Sequence, residues 1–257
     1  MNADRTSAGD PARTLELLWR RGMDESPRRG PRPRLTIERV VRTAIEIADG
    51  EGLDAVTMRR LAAALGVAPM TLYCYVPSRT ELIDLMLDEV YLRMPRTEIR
   101  GEDWRSGLKR IADENRALYR SHPWAAEVAT SRPPLGPGQM AKYEHELLAL
   151  DGIGLDDVTM DSALGLVVGF VRANAREAVE AESARRDSGV SDREWWDANA
   201  PLLAERVTPS SYPIATRVGS AAGEAYDAAV SPDAAYEFGI QRILDGIQPL
   251  VDGRARS

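Results

Sequence analysis

Apolar residues recur along this chain at helical spacing, and no run of strand length alternates apolar with polar positions. The first clear stripe is Ile37, Val40, Val41, Ala44, Ile45 and Ala48, one buried face of a helix that Thr36 can cap and "DGEG" can end. Behind Thr57, the short segment "MRRLAAAL" turns Met58, Leu61, Ala62 and Leu65 to one side and Arg59 and Arg60 to the other. Gly66 stops it, as a left-handed turn requires. A third helix of about two turns, Ala68 to Tyr75, continues the buried side through Leu72 and Val76. Ser78, with Glu81 three residues on, opens a fourth in capping-box fashion; Leu82, Leu85, Met86 and Val90 carry it toward Pro95.

Beyond Pro95 the periodicity predicts a helix from Trp104 to Ser121, a short one in "HPWAAEVA", a loop at "RPPLGPG" and a helix from Gln139 to Leu150 closed by "DGIG". The strongest stripe follows: Met160, Ala163, Leu164, Val167, Val168 and Val171, with Gly165, Gly169 and Ala173 four apart on a neighbouring face where another helix could come close. Residues 183 to 232 are mixed; "RRDSGVSD" and "VTPSSYPIATRVGS" resemble loops around a helix through Trp195, Trp196 and Leu203. A last stripe runs through Tyr236, Ile240, Ile243, Leu244, Ile247 and Leu250. The expected fold is all-α. The expected organisation is a flexible Arg/Pro-rich arm over 1–33, a three-helix helix-turn-helix domain over 34–80 and a larger helical ligand-binding and dimerisation domain over 81–257. "SPRRGPRPR", with four prolines and glycines in nine residues, is the reason for the arm.

Charge changes this picture. Residues 28 to 80 hold nine arginines against five acids, a local net of +4, so with −7 overall the remainder carries −11. A basic head on an acidic body suits a polyanion-binding head, although a solvated charged face would produce the same bias. The 257 residues suffice for a sizeable core, and Cys74, the single cysteine, excludes an internal disulfide and suits a reducing compartment. The longest apolar run, nine residues from Ala163 to Val171, falls short of the roughly 18 that span a bilayer. A cytoplasmic protein without membrane association is expected.

Two short helices around a glycine turn form a helix-turn-helix, whose second helix can enter a major groove if its back is firmly buried. Here Leu61, Leu65, Val67, Leu72 and Val76 supply the back. Thr71, Tyr73 and Tyr75 supply hydroxyls, and Arg59 and Arg79 supply charge on either side. The competing reading makes Tyr73 and Tyr75 edge-of-core aromatics, Met70 a gap-filler and Cys74 a small buried hydrophobe.

The segment "VVRTAIEIADGEGLDAVTMRRLAAALGVAPMTLYCYVPSRTELIDLML", above all its "LAAALGV…TLYCYV" core, resembles the DNA-binding domain of the TetR family of transcriptional repressors. That resemblance implies an all-α homodimer on double-stranded operator DNA, released by a small-molecule effector held in the body. The stripes at 160 to 179 and 234 to 251 would be its dimer-interface helices. By position it also implies DNA contacts from Thr57, Arg59, Thr71, Tyr73, Tyr75 and Arg79, with Pro69 and Met70 facing the bases. The body resembles the tetracycline repressor subgroup more weakly, through "TSRPP" and the helix after "GIGL". Val128 stands four before Arg132, where that subgroup has a magnesium-binding histidine, so no metal and no cofactor is expected. Candidate effector contacts are Trp124, Tyr143, Phe170, Arg172 and Asn174, between the helix that starts near Trp104 and the one that ends near Glu180.

Catalysis finds little support. G-x-S-x-G, a phosphate-binding G-x-x-x-x-G-K-[ST] loop and H-E-x-x-H are all missing. "HELLAL" at His145 lacks a second histidine, "GIGLDD" lacks the third glycine of a dinucleotide site, and His122 is the only other histidine. The expected function is a ligand-responsive repressor and not an enzyme; the alternative is an all-α small-molecule-binding protein or enzyme without specific DNA recognition.

Overall fold

The computed structural model describes residues 5–7, 9–20, 35–130, 132–226, 228 and 231–254. Among them are twelve α-helices, and the extended pairing is a single parallel bridge between Arg5 and Ala129.

Three helices build the head. In α2 (Ile37–Glu51) the Thr36 side chain accepts from the Arg39 N–H, and Gly52, at φ 84°, ends the helix. Thr57 caps α3 (Met58–Leu65) in the same way through the Arg60 N–H. Gly66 then turns left-handed at φ 69°, a conformation that a side chain would strain. α4 (Pro69–Tyr73) has five residues, shorter than the two turns expected, because Cys74, Tyr75 and Val76 leave the helix in tight turns bonded to Thr71 and Leu72 carbonyls. Val40, Val56, Leu61, Leu72 and Val76 are fully enclosed at the centre of the head.

From the head runs α5 (Arg79–Arg93), started by Ser78, whose side chain accepts from the Thr80 N–H. Every residue from Glu81 to Tyr91 is buried, four carboxylates included. The apolar stripe alone does not anticipate this; two other segments cover the polar side.

One cover is α8 (Pro137–Leu147), which crosses so close that a Cβ at Gly138 would collide with the Asp88 carbonyl. Asp88 accepts from the Gln139 N–H at 2.9 Å. The other cover corrects the expected arm. Its described part forms α1 (Pro11–Leu18), capped by Asp10 and started by Pro11, and it packs on α5. Ser7 N–H donates to Asp84 at 2.9 Å, Trp19 Nε1 to the Leu135 carbonyl at 2.8 Å, and Arg20 pairs with Glu38 at 3.0 Å. Asp10-Pro11 is a local helix-start signal, upstream of the Arg/Pro-rich stretch that suggests an arm. "SPRRGPRPR" lies outside the described residues.

The body adds α6 (Trp104–Ser121), α7 (Trp124–Glu127), α9 (Asp157–Ser188), α10 (Asp192–Ala204), α11 (Pro213–Tyr226) and α12 (Pro232–Arg254). α9 packs on both α6 and α12. The two strong stripes are used inside the subunit: Val167, Val171, Tyr236 and Ile240 are sealed within its own core, and the outward apolar residues on these helices are Val158, Leu166, Phe238 and Leu250. "YPIATRVGS", expected as loop, lies largely in α11, which Pro213 opens; Pro fits a first helical position. Neither α10 nor α11 buries a residue within this subunit.

Candidate nucleic-acid interface and effector cavity

The two helices of the turn present a continuous outer face. Leu72, at 0% exposure, pins the back of α4, while Met70 is 75% and Tyr73 41% exposed. Pro69, Thr71 and Cys74 share that open side, and Thr57 and Arg59 are exposed on α3. Met70 and Tyr73 thus stand as large, partly apolar side chains in solvent on this one face. Arg60 is tied to Glu51 at 2.5 Å.

Two expected DNA contacts, Arg79 and Tyr75, are less open than the rest. Arg79 turns inward: its Nε donates to the Val56 carbonyl at 2.8 Å and its Nη2 to the Leu53 carbonyl at 2.9 Å. The Leu53 carbonyl also accepts from the Val56 N–H at 3.0 Å, and the guanidinium ties this α2–α3 connection to the first turn of α5. Tyr75 is half-buried and packs against the core.

The head meets the body at Asp49 on α2. Its carboxylate accepts from Trp124 Nε1 at 2.8 Å and lies 2.8 Å from His122 Nδ1. Trp124 is 1% exposed, so this expected effector contact is instead a junction residue.

Between α5, α6, α8 and α9 lies a cavity of about 330 Å³. Tyr143 and Arg172 line it as expected, with Tyr91, Tyr119, Lys142 and Glu146. The sequence analysis does not single out Tyr91 or Tyr119; the signal available is a pair of large polar-tipped aromatics on successive helices. Burial raises both phenols, Tyr119 to about 12. Gly165 and Gly169, expected to admit another helix, border this cavity, and a Cβ on either would meet no atom of the subunit within 4 Å. Asn174 lines a separate cavity of about 300 Å³ that shares Tyr119, and its Nδ2 donates to the Pro232 carbonyl at 2.7 Å. Phe170 lines neither; it stacks on Tyr236 with centroids 6.2 Å apart. Phe170 and Trp124 are therefore corrected to core and junction roles. Among the described residues no group of three His, Cys, Asp or Glu could hold a metal ion, and Val128 is buried. No described helix is long and apolar enough to cross a membrane.

A helix-turn-helix head on a cavity-bearing helical body defines a class of DNA-binding regulators with a ligand site. Residues 40–86 match the family described as "Bacterial regulatory proteins, tetR family", and residues 98–251 match "Tetracyclin repressor-like, C-terminal domain". The chain belongs to the TetR family of transcriptional regulators. It is 41% identical over 255 residues to the HTH-type transcriptional repressor DrrR1 of Streptomyces coeruleorubidus, covering 98% of this chain and 91% of that one. The crystal structure of the TetR family protein ActR from Streptomyces coelicolor, in complex with actinorhodin, superposes with a TM-score of 0.70 at 31% identity over 84% of this chain and 96% of that one. BioQ with its double-stranded DNA operator gives a TM-score of 0.51 at 26% identity, over 59% and 90%.

Proposed function

We propose that this chain is a cytoplasmic, dimeric repressor that grips a near-palindromic operator with α4 of each subunit and releases it when a small molecule fills the cavity between α5, α6, α8 and α9. One observation carries the DNA half: Met70, Thr71 and Tyr73 stand exposed on a helix whose back is sealed by Leu72. Pro69, Met70 and Thr71 face base edges, Tyr73 and Arg59 meet phosphates, and Thr57 contributes a hydroxyl at the start of α3. Two recognition helices on one face of B-form DNA lie about 34–36 Å apart, so the half-sites are spaced about one helical turn. The outward residues Leu166, Phe238 and Leu250 of α9 and α12 supply the apolar surface between the subunits.

Release uses α5. Arg79 locks its first turn to the head, and Tyr91, three turns on, is a wall of the cavity. A ligand that favours a shifted Tyr91 tilts the rod and changes the spacing of the two heads. The complexes of ActR with actinorhodin and of BioQ with its operator support both halves of this reading. No step of it requires turnover, metal or cofactor.

A mobility-shift titration against the DNA flanking the gene for this chain tests it. The wild-type chain gives a discrete complex, and Tyr73→Ala weakens it at least about tenfold, the loss of one to two contacts, while leaving the dimer intact. Binding no tighter than to random DNA would refute the proposal, and unchanged binding by Tyr73→Ala would remove Tyr73 from the interface.

A further inference from the structure

The segment ahead of the head touches three parts of the molecule that lie far apart in the sequence. First, it holds the loop between α7 and α8. The Thr6 N–H donates to the Ala129 carbonyl at 3.2 Å and the Thr6 hydroxyl to the Arg132 carbonyl at 2.5 Å. The Ser7 hydroxyl reaches the Pro133 carbonyl at 3.1 Å, and Trp19 Nε1 the Leu135 carbonyl at 2.8 Å. Pro133 and Pro134 leave that loop short of N–H donors of its own, and the segment supplies them. Second, it grips α5: the Ser7 N–H donates to both Asp84 carboxylate oxygens, at 2.9 and 3.2 Å, and a Cβ at Gly9 would collide with the Glu81 carboxylate. Third, Arg20 pairs with Glu38 in the first turn of α2.

Ser7 is the one described non-glycine residue with a positive φ, 53°. A strained backbone persists only where its surroundings fix it, so the contacts with Asp84 and Pro133 mark a specific dock rather than a loose tail. Thr130 and Pro133 of the held loop also line the cavity of about 330 Å³, while Glu38 belongs to the head. The segment therefore runs from the cavity rim to the DNA-binding unit beside α5, not through it. A single rod leaves a head free to twist and tilt, and a second tie alongside it removes that freedom.

We infer that this N-terminal segment is a strap that ties the cavity-rim loop to the head and sets the angle of the head on the body, and so the distance between the two recognition helices of the dimer. It rests on the proposed use of α4 and adds the part that holds α4 in position. A rim loop pushed outward pulls on the strap, which gives the rim its own line to the head besides the one through Tyr91 and α5.

Cys74, single and exposed on α4, supplies the readout. With a nitroxide on Cys74 of each subunit of the full-length dimer, pulsed electron double resonance reports the head-to-head distance without DNA. The wild-type chain gives one narrow distribution. Ser7→Pro lacks the N–H and cannot adopt φ 53°, so it frees the body end; Arg20→Glu frees the head end. Each widens the distribution at least about 1.5-fold, and the double variant is no wider than Ser7→Pro, because a strap cut once is already slack. On unlabelled protein, Ser7→Pro weakens operator binding about three- to tenfold through lost preorganisation and leaves random-DNA binding unchanged, since no phosphate contact is removed. Should Ser7→Pro not fold, as judged by circular dichroism, Arg20→Glu decides alone. A wild-type distribution as broad as that of the variants, or widths that add in the double variant, would overturn the strap. Widened spacing with operator affinity unchanged supports the strap and counts against α4 as the operator-binding helix.

Discussion

Head and body are both helical, yet they are specified in different ways. The head is built from local signals: Thr36, Thr57 and Ser78 each cap the helix that follows, and Gly66 makes the one left-handed turn between α3 and α4. The body is built from long-range coincidences. Glycines at 136 and 138 admit a helix against Asp88, Ser7 reaches Asp84 from 77 residues away, and Arg172 meets Thr130 across 42. A short segment suffices to read the first kind of order, whereas the second needs the fold.

Gly138→Ala gives the largest effect, because the added methyl meets backbone that cannot rotate away. It should cost about 1–3 kcal/mol in urea unfolding, more than Gly66→Ala costs in the head, since overpacking a rigid crossing outweighs strain at a single turn. A neutral Gly138→Ala would mean that α5 and α8 cross less closely than the comparison requires.

Arg79 sharpens the contrast, since it stands in the head but works as a connector. Arg79→Ala removes a donor from the Val56 carbonyl and one of two from the Leu53 carbonyl, and should cost about 1–3 kcal/mol of stability. The slope of log affinity against log salt on DNA should stay unchanged, because no phosphate contact is lost. A slope shallower by about one counterion would return Arg79 to the DNA surface.

Sequence reading succeeded where each residue's partner lies within a turn or two. The boundaries of α2, α3 and α6, the exposure of Met70 and Tyr73, and the inward set Leu61, Leu65, Leu72 and Val76 all follow from caps, one glycine and 3.6-residue spacing. It failed where the partner is remote. Arg79 reads as a basic residue beside a recognition helix until the carbonyls in front of it are seen. Trp124 reads as a pocket aromatic until Asp49 supplies its acceptor. The acids of α5 lie off its apolar stripe, and nothing local shows their burial, because the covers α1 and α8 come from both sides of it in the chain.

The smallest effect concerns those acids. Burial is the main cause that lifts Asp84 to about 6, against which the Ser7 N–H pulls down. A carboxyl raised in the folded state holds its proton more tightly there than when unfolded. Its contribution is therefore present below pH 4 and lost as the pH climbs through 6. Asp84→Asn should flatten stability between pH 4 and 7, as followed by thermal unfolding at a series of pH values. An unaltered profile would show that the cover over α5 leaves Asp84 in contact with water.

The recognition face itself can be probed through Cys74, the chain's single cysteine, exposed on the open side of α4. Its alkylation rate by a maleimide is measured with no DNA, with random DNA and with saturating operator. Strong protection by the operator alone, reversed when an effector releases the complex, is the result the account predicts; an operator complex in which Cys74 reacts as fast as in the free protein would contradict it.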